Sequence, residues 1–164
     1  MGKAMLVAML IMVSGNLQAQ NTSESGQAAL ENMLKQTMQN TFKLNGTCKL
    51  LMTPEGDQTH DCEPELFNMA FASGNSSFIV TIKDKGGISF RGMDSAAVGN
   101  TASLSVSTIL LTGTSFAPAV ELKAKGRCTY TNPNAGPVHV ECYAKTDRGT
   151  YQLSYDSDGN WPPQ

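Results

Sequence analysis

The chain has 164 residues, and its 12 basic and 14 acidic side chains leave a net charge of −2 at neutral pH. This balance, in a sequence without runs of Lys and Arg, excludes the basic footprint that is typical of nucleic-acid-binding proteins. The length suits a single domain of ordinary size, and no nucleic-acid partner is expected.

Residues 1–19 have the features of a secretion signal. Lys3 supplies a short positive region, and ten apolar or small residues follow at 4–13. Such a run is shorter than the roughly 20 residues that span a bilayer, and it fits the core of a signal peptide. We expect cleavage after Ala19, which leaves one mature β-rich domain at 20–164 and predicts a periplasmic protein or, alternatively, one secreted to the extracellular medium. A buried N-terminal helix of a cytosolic protein is the competing interpretation.

The next segment predicts one helix, over Ser25–Leu44. Apolar or tolerant residues recur there with the helical period of 3.6. They are Leu30, Met33, Leu34, Thr37, Met38, Thr41 and Phe42. Ser23 or Ser25 can cap the start of this helix, and Asn45-Gly46 can end it in a left-handed conformation.

The rest of the chain alternates short strand patterns with Gly, Asn and Asp turn signals. The predicted strands are Thr47–Thr53, Gln58–Cys62, Leu66–Ala72, Phe78–Lys83, Ile88–Arg91, Ser103–Leu111, Ala119–Lys125, Cys128–Asn132, Val138–Lys145 and Thr150–Tyr155. The pattern predicts a mainly β protein: an antiparallel β-sandwich or a curled sheet, with the N-terminal helix against it. No later stretch is long enough for a membrane-spanning helix.

Four cysteines, Cys48, Cys62, Cys128 and Cys142, fall into two pairs that each enclose 13 residues. An even number in an exported chain predicts disulfides, and three pairings are possible in principle. The repeated spacing favours Cys48 with Cys62 and Cys128 with Cys142, each clamping a hairpin. A four-thiolate zinc site is disfavoured because its short knuckles are missing, so neither a metal nor a cofactor is predicted.

The equal spacing also suggests an internal duplication, with half-repeats at about 46–91 and 126–161. Gly46-Thr47-Cys48 matches Gly126-Arg127-Cys128. The segment Phe78–Gly86 parallels Tyr151–Gly159 at an offset of 73. Two halves of this kind would pack together as one sheet pair or a closed sheet.

The sequence offers few residues for catalysis. His60 and His139 are its only histidines, and no nucleophile elbow, zinc-protease or phosphate-binding motif occurs. His60 and Asp61 could belong to a triad with one of the many serines, but an exposed imidazole beside a turn is the simpler interpretation. The segment Asp156-Ser157-Asp158-Gly159-Asn160 resembles half of a calcium loop and is better explained as a tight turn. We predict no catalytic residue.

One loop has the composition of a recognition element. Thr112, Gly113, Thr114, Ser115 and Phe116 connect two alternating strands, and we predict that they form a projecting, partner-binding tip. An aromatic side chain among small residues is a frequent anchor in protein interfaces. The alternative is that Phe116 folds back over the end of the core.

These features together predict an exported protein-binding module. The favoured class is a periplasmic inhibitor or immunity protein that neutralises a secreted toxin such as a cell-wall hydrolase. A periplasmic hydrolase that uses His60 or His139 is one alternative, and a structural or ligand-carrying periplasmic protein is another. A large apolar cavity inside the sheet would favour the carrier.

Overall fold

The computed structural model of the protein describes residues 38–113 and 118–160. Nine antiparallel strands and two single-turn 3₁₀ helices account for most of these residues. The strands are β1 (Met38–Thr53), β2 (Gly56–Asp57), β3 (Cys62–Phe71), β4 (Asn75–Ile82), β5 (Gly86–Val98), β6 (Thr101–Thr112), β7 (Val120–Thr131), β8 (His139–Thr146) and β9 (Gly149–Ser157), and the 3₁₀ turns are Thr59–Asp61 and Pro133–Ala135.

Eight of the strands close into a barrel. β1 pairs with β3, and each strand from β3 to β8 pairs with the strand that follows it in the chain. β9 returns to pair with β1, and the short β2 adds to the end of β1. The barrel closes where β1 pairs with β9, from the pair Gly46 and Ser157 to the pair Met52 and Gln152. The expected curled antiparallel sheet is therefore present, whereas the β-sandwich is wrong: the first and last long strands satisfy each other's edges, so no second sheet forms.

The barrel interior is filled by side chains of alternating residues. Along β8, buried and exposed positions alternate without interruption from His139 to Thr146, the period of two that a strand requires. Eight strands enclose only enough space for such side chains. The largest fully buried ones are Tyr155, Phe78, Phe90, Leu51, Leu66, Ile88, Leu104, Ile109, Leu153, Val80, Val140 and Cys128.

Two irregularities switch which residues face the core. On β6 the register shifts between Val106 and Thr108, so the buried positions change from Leu104 and Val106 to Ile109 and Leu111. A bulge does this by adding a residue to one strand of a pair. A similar shift on β1 lies between Cys48 and Leu50.

The predicted helix is wrong where it can be compared, because Met38–Leu44 belongs to β1; its earlier part lies outside the described residues. Exposure from Thr41 to Asn45 alternates as in a strand, and pairing with β3 holds this segment extended. Nor does Gly46 end a helix. A Cβ there would lie 2.1 Å from the Asp156 carbonyl oxygen, so the missing side chain lets β9 approach β1.

Three further predicted strands differ from the structure. Gln58–Cys62 is mainly a 3₁₀ turn, which ends where β3 begins at Cys62. The two strands predicted at Ala119–Lys125 and Cys128–Asn132 are one continuous strand, β7. Gly126 does not break it, because its bare Cα lets the Tyr143 carbonyl approach closely.

Both predicted disulfides are present. Cys48–Cys62 links β1 to β3, and Cys128–Cys142 links β7 to β8. They indicate an oxidising environment outside the cytoplasm. Within the described residues, no helix is long and apolar enough to cross a membrane.

The up-and-down order places alternate connections at the same end of the barrel. We call the end with the connections at 54–55, 83–85 and 147–148 the lower end. The last residue of β6, Thr112, and the first residue of β7, Val120, also lie there. The upper end carries the connections at 72–74, 99–100 and 132–138.

Candidate binding site at the lower end of the barrel

A pocket of about 250 Å³ opens at the lower end of the barrel. Its floor consists of buried side chains from four strands: Ile82, Ile88, Leu111 and Tyr151. Its rim is polar and is formed by the turns, with Thr53, Pro54, Glu55, Gln58, Lys85 and Arg148. An apolar floor with a few polar groups around it is the usual form of a ligand site.

The segment 54–61 forms one side of this rim and is firmly attached to the barrel. Backbone N–H groups of Gln58 and Lys83 donate to the Leu51 and Asp61 carbonyls, each at 2.8 Å. The Leu51 N–H donates to the Thr59 hydroxyl at 2.9 Å. The Cys48–Cys62 disulfide closes the same segment, so this side of the rim is preorganised.

Charge on the rim is partly neutralised. The Lys85 ammonium donates to the Gln58 side-chain carbonyl at 2.5 Å and lies 3.7 Å from the Asp61 carboxylate. A hydrogen bond from His60 and, to a smaller extent, the nearby charge of Lys85 lower the pKa of Asp61 despite some desolvation. Arg148 forms no ion pair with another described residue, so its guanidinium is available to a ligand.

Tyr151 is the one aromatic side chain in the floor. Burial raises the pKa of its hydroxyl; the nearby Arg148 charge opposes this rise, and Glu55 and Asp147 add to it. The hydroxyl is therefore neutral at ordinary pH and can both donate and accept a hydrogen bond.

The predicted recognition loop begins beside this pocket. Leu111 in the floor is followed by Thr112, which pairs with Gly87. Gly113 has a φ of +117°, and a Cβ there would lie 2.4 Å from the Gly86 Cα. Only glycines can meet so closely, and this contact fixes the start of the loop against the β4–β5 turn. Thr114, Ser115 and Phe116 lie outside the described residues.

His60 lies near the pocket but does not line it. Its side chain is fully exposed, and its Nδ1 is 3.2 Å from an Asp61 carboxylate oxygen. A base and an orienting carboxylate of a triad would be paired in this way, but a triad also needs a nucleophile at the ring. Within the described residues, no Ser or Thr hydroxyl hydrogen-bonds to the ring.

His139 lies on the outer face of the barrel at the start of β8. Its two ring nitrogens contact two carboxylates, Nδ1 with Asp156 and Nε2 with Glu141 at 3.1 Å. The Ser154 hydroxyl donates to Glu141 rather than to the histidine. The arrangement is an exposed network of charged and polar groups on neighbouring strands.

The structure also bears on metal binding and on a carried ligand. No group of His, Cys, Asp or Glu in residues 38–113 and 118–160 is arranged to hold a metal ion. Asp158 accepts hydrogen bonds from the Asn160 backbone and side chain, the local bonding of a turn. A second, smaller pocket of about 170 Å³ at the upper end is lined mainly by apolar groups, including Phe42, Phe78 and Tyr130.

The sequence predicts turns at these places separately, but it does not show that they lie side by side in the fold. Glu55, Lys85 and Arg148 are far apart in the chain, and only the barrel topology brings them to one rim. The order of the turns along the chain was the signal that could have grouped these residues, because an up-and-down sheet places every second turn at the same end. The four floor residues were predicted only as strand positions.

No protein-family model, no curated protein and no solved structure matches the chain.

Proposed function

We propose that this protein is an exported binding module whose lower end engages another protein. The observation that carries the proposal is the meeting of two features at one place: a preorganised pocket with an apolar floor, and the fixed start of the 112–116 loop beside it. A partner side chain would enter the pocket while the loop contacts the surrounding surface.

The partner class that we propose is a secreted toxin such as a cell-wall hydrolase, which the protein would neutralise as a periplasmic inhibitor or immunity protein. Disulfides support a location where such a partner occurs. The floor and rim also fit an inhibitor, since anchors in tight interfaces are apolar or aromatic groups within a polar margin. Release into the extracellular medium is the alternative location.

The test uses the full chain, immobilised after purification from its own host, to capture proteins from the extracytoplasmic extract. Phe116→Ala should weaken capture roughly 10-fold or more if Phe116 is an anchor. Val98→Ala is the matched control, because Val98 is 84% exposed beside a turn at the upper end. The captured protein should be a hydrolase that loses activity when the chain is added.

Two results would contradict the proposal. If Phe116→Ala lowers the melting temperature as a core substitution does, Phe116 belongs to the fold and not to an interface. If both variants capture equally well, or if an apolar small molecule is retained instead of a protein, the lower end is not a protein-binding site. Arg148→Ala extends the test to the pocket rim and should weaken capture while leaving the melting temperature unchanged.

A further inference from the structure

Four basic side chains lie together on the outer face of β7 and β8, at positions that are separated in the sequence. Lys123, Lys125 and Arg127 alternate along β7, and Lys145 on β8 is the direct cross-strand partner of Lys125. All four are exposed. We call them the basic patch; the fold creates it from residues that form no basic run in the chain.

The basic patch has no ion-pair partner within the described part of the chain. None of its four side chains forms an ion pair with a described residue, whereas Lys43, Lys49 and Lys85 each do. Like charges placed directly opposite on neighbouring strands repel each other. The pair Lys125 and Lys145 thus opposes folding slightly, as expected of residues placed for an anionic ligand.

The surface around the patch has a shape and composition that suit an extended ligand. Lys123, Lys125 and Lys145 line an open groove of about 610 Å³, with Glu121 and Asp147 also among its lining residues. The Cα atoms of residues two apart on a strand are roughly 6.4 to 6.8 Å apart, so the side chains start at a regular interval. This regular spacing fits a polymer with repeated negative charges better than it fits a single anion.

An aromatic ring adjoins the cations. Tyr143 is 51% exposed, and it lies between Arg127 on β7 and Gln152 on β9. An exposed phenol ring offers an apolar face with a polar tip, which can stack on the C–H face of a sugar. Ser107 and Thr108 in the groove add hydroxyl groups that can pair with sugar hydroxyls.

We infer that the outer face of β7 and β8 binds an anionic polysaccharide. The polymer would run along β7, its acidic groups facing the basic patch and one sugar ring stacked on Tyr143. This site is separate from the lower-end pocket and does not rest on the proposed function.

The experiment measures binding of the full chain to heparin, a sulfated polysaccharide, and to polygalacturonate, a carboxylated one. Neutral dextran, polyglutamate and a single-stranded oligonucleotide serve as comparison ligands. We expect binding to either acidic polysaccharide that weakens with added salt. The double variant Lys125→Ala and Lys145→Ala should bind roughly 10-fold more weakly or worse, with an unchanged or higher melting temperature.

Two further variants separate the patch from general charge effects. Lys83→Ala removes an exposed lysine outside the patch and should leave polysaccharide binding unchanged. Tyr143→Ala should weaken polysaccharide binding but not polyglutamate binding. Unaltered binding by the double lysine variant, equal binding of dextran, tighter binding of polyglutamate or the oligonucleotide, or no effect of Tyr143→Ala would each overturn the inference.

Discussion

Tyr155 shows how a single side chain supports the closed barrel. Its ring is fully buried, and the single proton of its hydroxyl is shared between the Leu44 carbonyl at 2.9 Å and the Pro64 carbonyl at 3.1 Å. One residue of β9 thereby holds β1 and the segment at the start of β3. These bonds lie near the seam where the last strand meets the first.

Tyr155→Phe should lower the free energy of unfolding by about 1 to 3 kcal/mol, because the buried Leu44 carbonyl loses its hydrogen-bond donor. Urea unfolding measures this change as a lower midpoint with the same slope. Tyr143→Phe is the control, since Tyr143 is half-exposed and should shift stability by less than about 0.5 kcal/mol. Equal effects of the two substitutions would show that the Tyr155 bonds contribute nothing.

The buried and partly buried tyrosines also predict a loss of stability in alkaline solution. Burial raises the pKa of Tyr130, Tyr151 and Tyr155 above the ordinary value, and for Tyr130 the neighbouring Asp94 adds to the effect. Above pH 10 the unfolded chain releases these protons while the native chain retains them. The native state then binds more protons, so the free energy of unfolding falls as the pH rises.

Ultraviolet absorbance of tyrosinate, followed together with unfolding midpoints from pH 8 to 12, measures this behaviour. We expect tyrosines that ionise only as the protein unfolds, and a midpoint that is flat up to about pH 10 and then declines. Ionisation of all tyrosines near pH 10 with an unchanged midpoint would contradict the account.

At the scale of secondary structure, the two disulfides close loops of equal length in different surroundings. Each spans a sequence separation of 14, so the chain-entropy model gives about 3 kcal/mol to both. Cys128 and Cys142 are buried in the core, whereas Cys48 and Cys62 are only partly buried.

Replacing Cys128 and Cys142 by Ala should therefore cost more stability than replacing Cys48 and Cys62 by Ala. We expect about 3 kcal/mol for the Cys48 pair, and roughly 1 kcal/mol more for the Cys128 pair because truncation leaves unfilled core volume. Urea unfolding of the two double variants, each with its remaining disulfide intact, gives the comparison. A larger loss for the Cys48 pair would contradict the packing argument.

The strand prediction succeeded where alternation was local and failed where distant pairing decided the outcome. The Cys spacing and the turn residues led to the correct disulfides and to most hairpins. The segment 38–44 was predicted as a helix because Met38, Thr41 and Phe42 fit a helical stripe, yet β3 supplies a partner that holds it extended. Tertiary pairing outweighs a weak local preference.

The proposed duplication stays a hypothesis, and the barrel adds one fact that bears on it. At the offset of 73, residues of β4 that face the core correspond in sequence to residues of β9 that also face the core. The matched buried residues are Phe78 with Tyr151, Val80 with Leu153, and Ile82 with Tyr155. The repeated segments thus present the same face to the core.

At the scale of the whole barrel, strand pairing creates two surfaces that no single strand contains. The lower-end pocket joins turns that are far apart in the chain, and the basic patch joins β7 to β8. The net charge of −2 gives no sign of the basic patch, because the charges of acidic residues elsewhere outweigh its positive charge. Neither surface is visible in any one segment of the sequence, since both depend on which strands are neighbours and which end each turn occupies.

The most direct test of the central claim is amide hydrogen exchange of the full chain, free and in complex with the partner that it captures. We expect slower exchange at the lower end, at the pocket turns near Glu55, Lys85 and Arg148 and along the 112–116 loop. Protection confined to the upper-end connections at 72–74, 99–100 and 132–138, with the lower end unchanged, would contradict it.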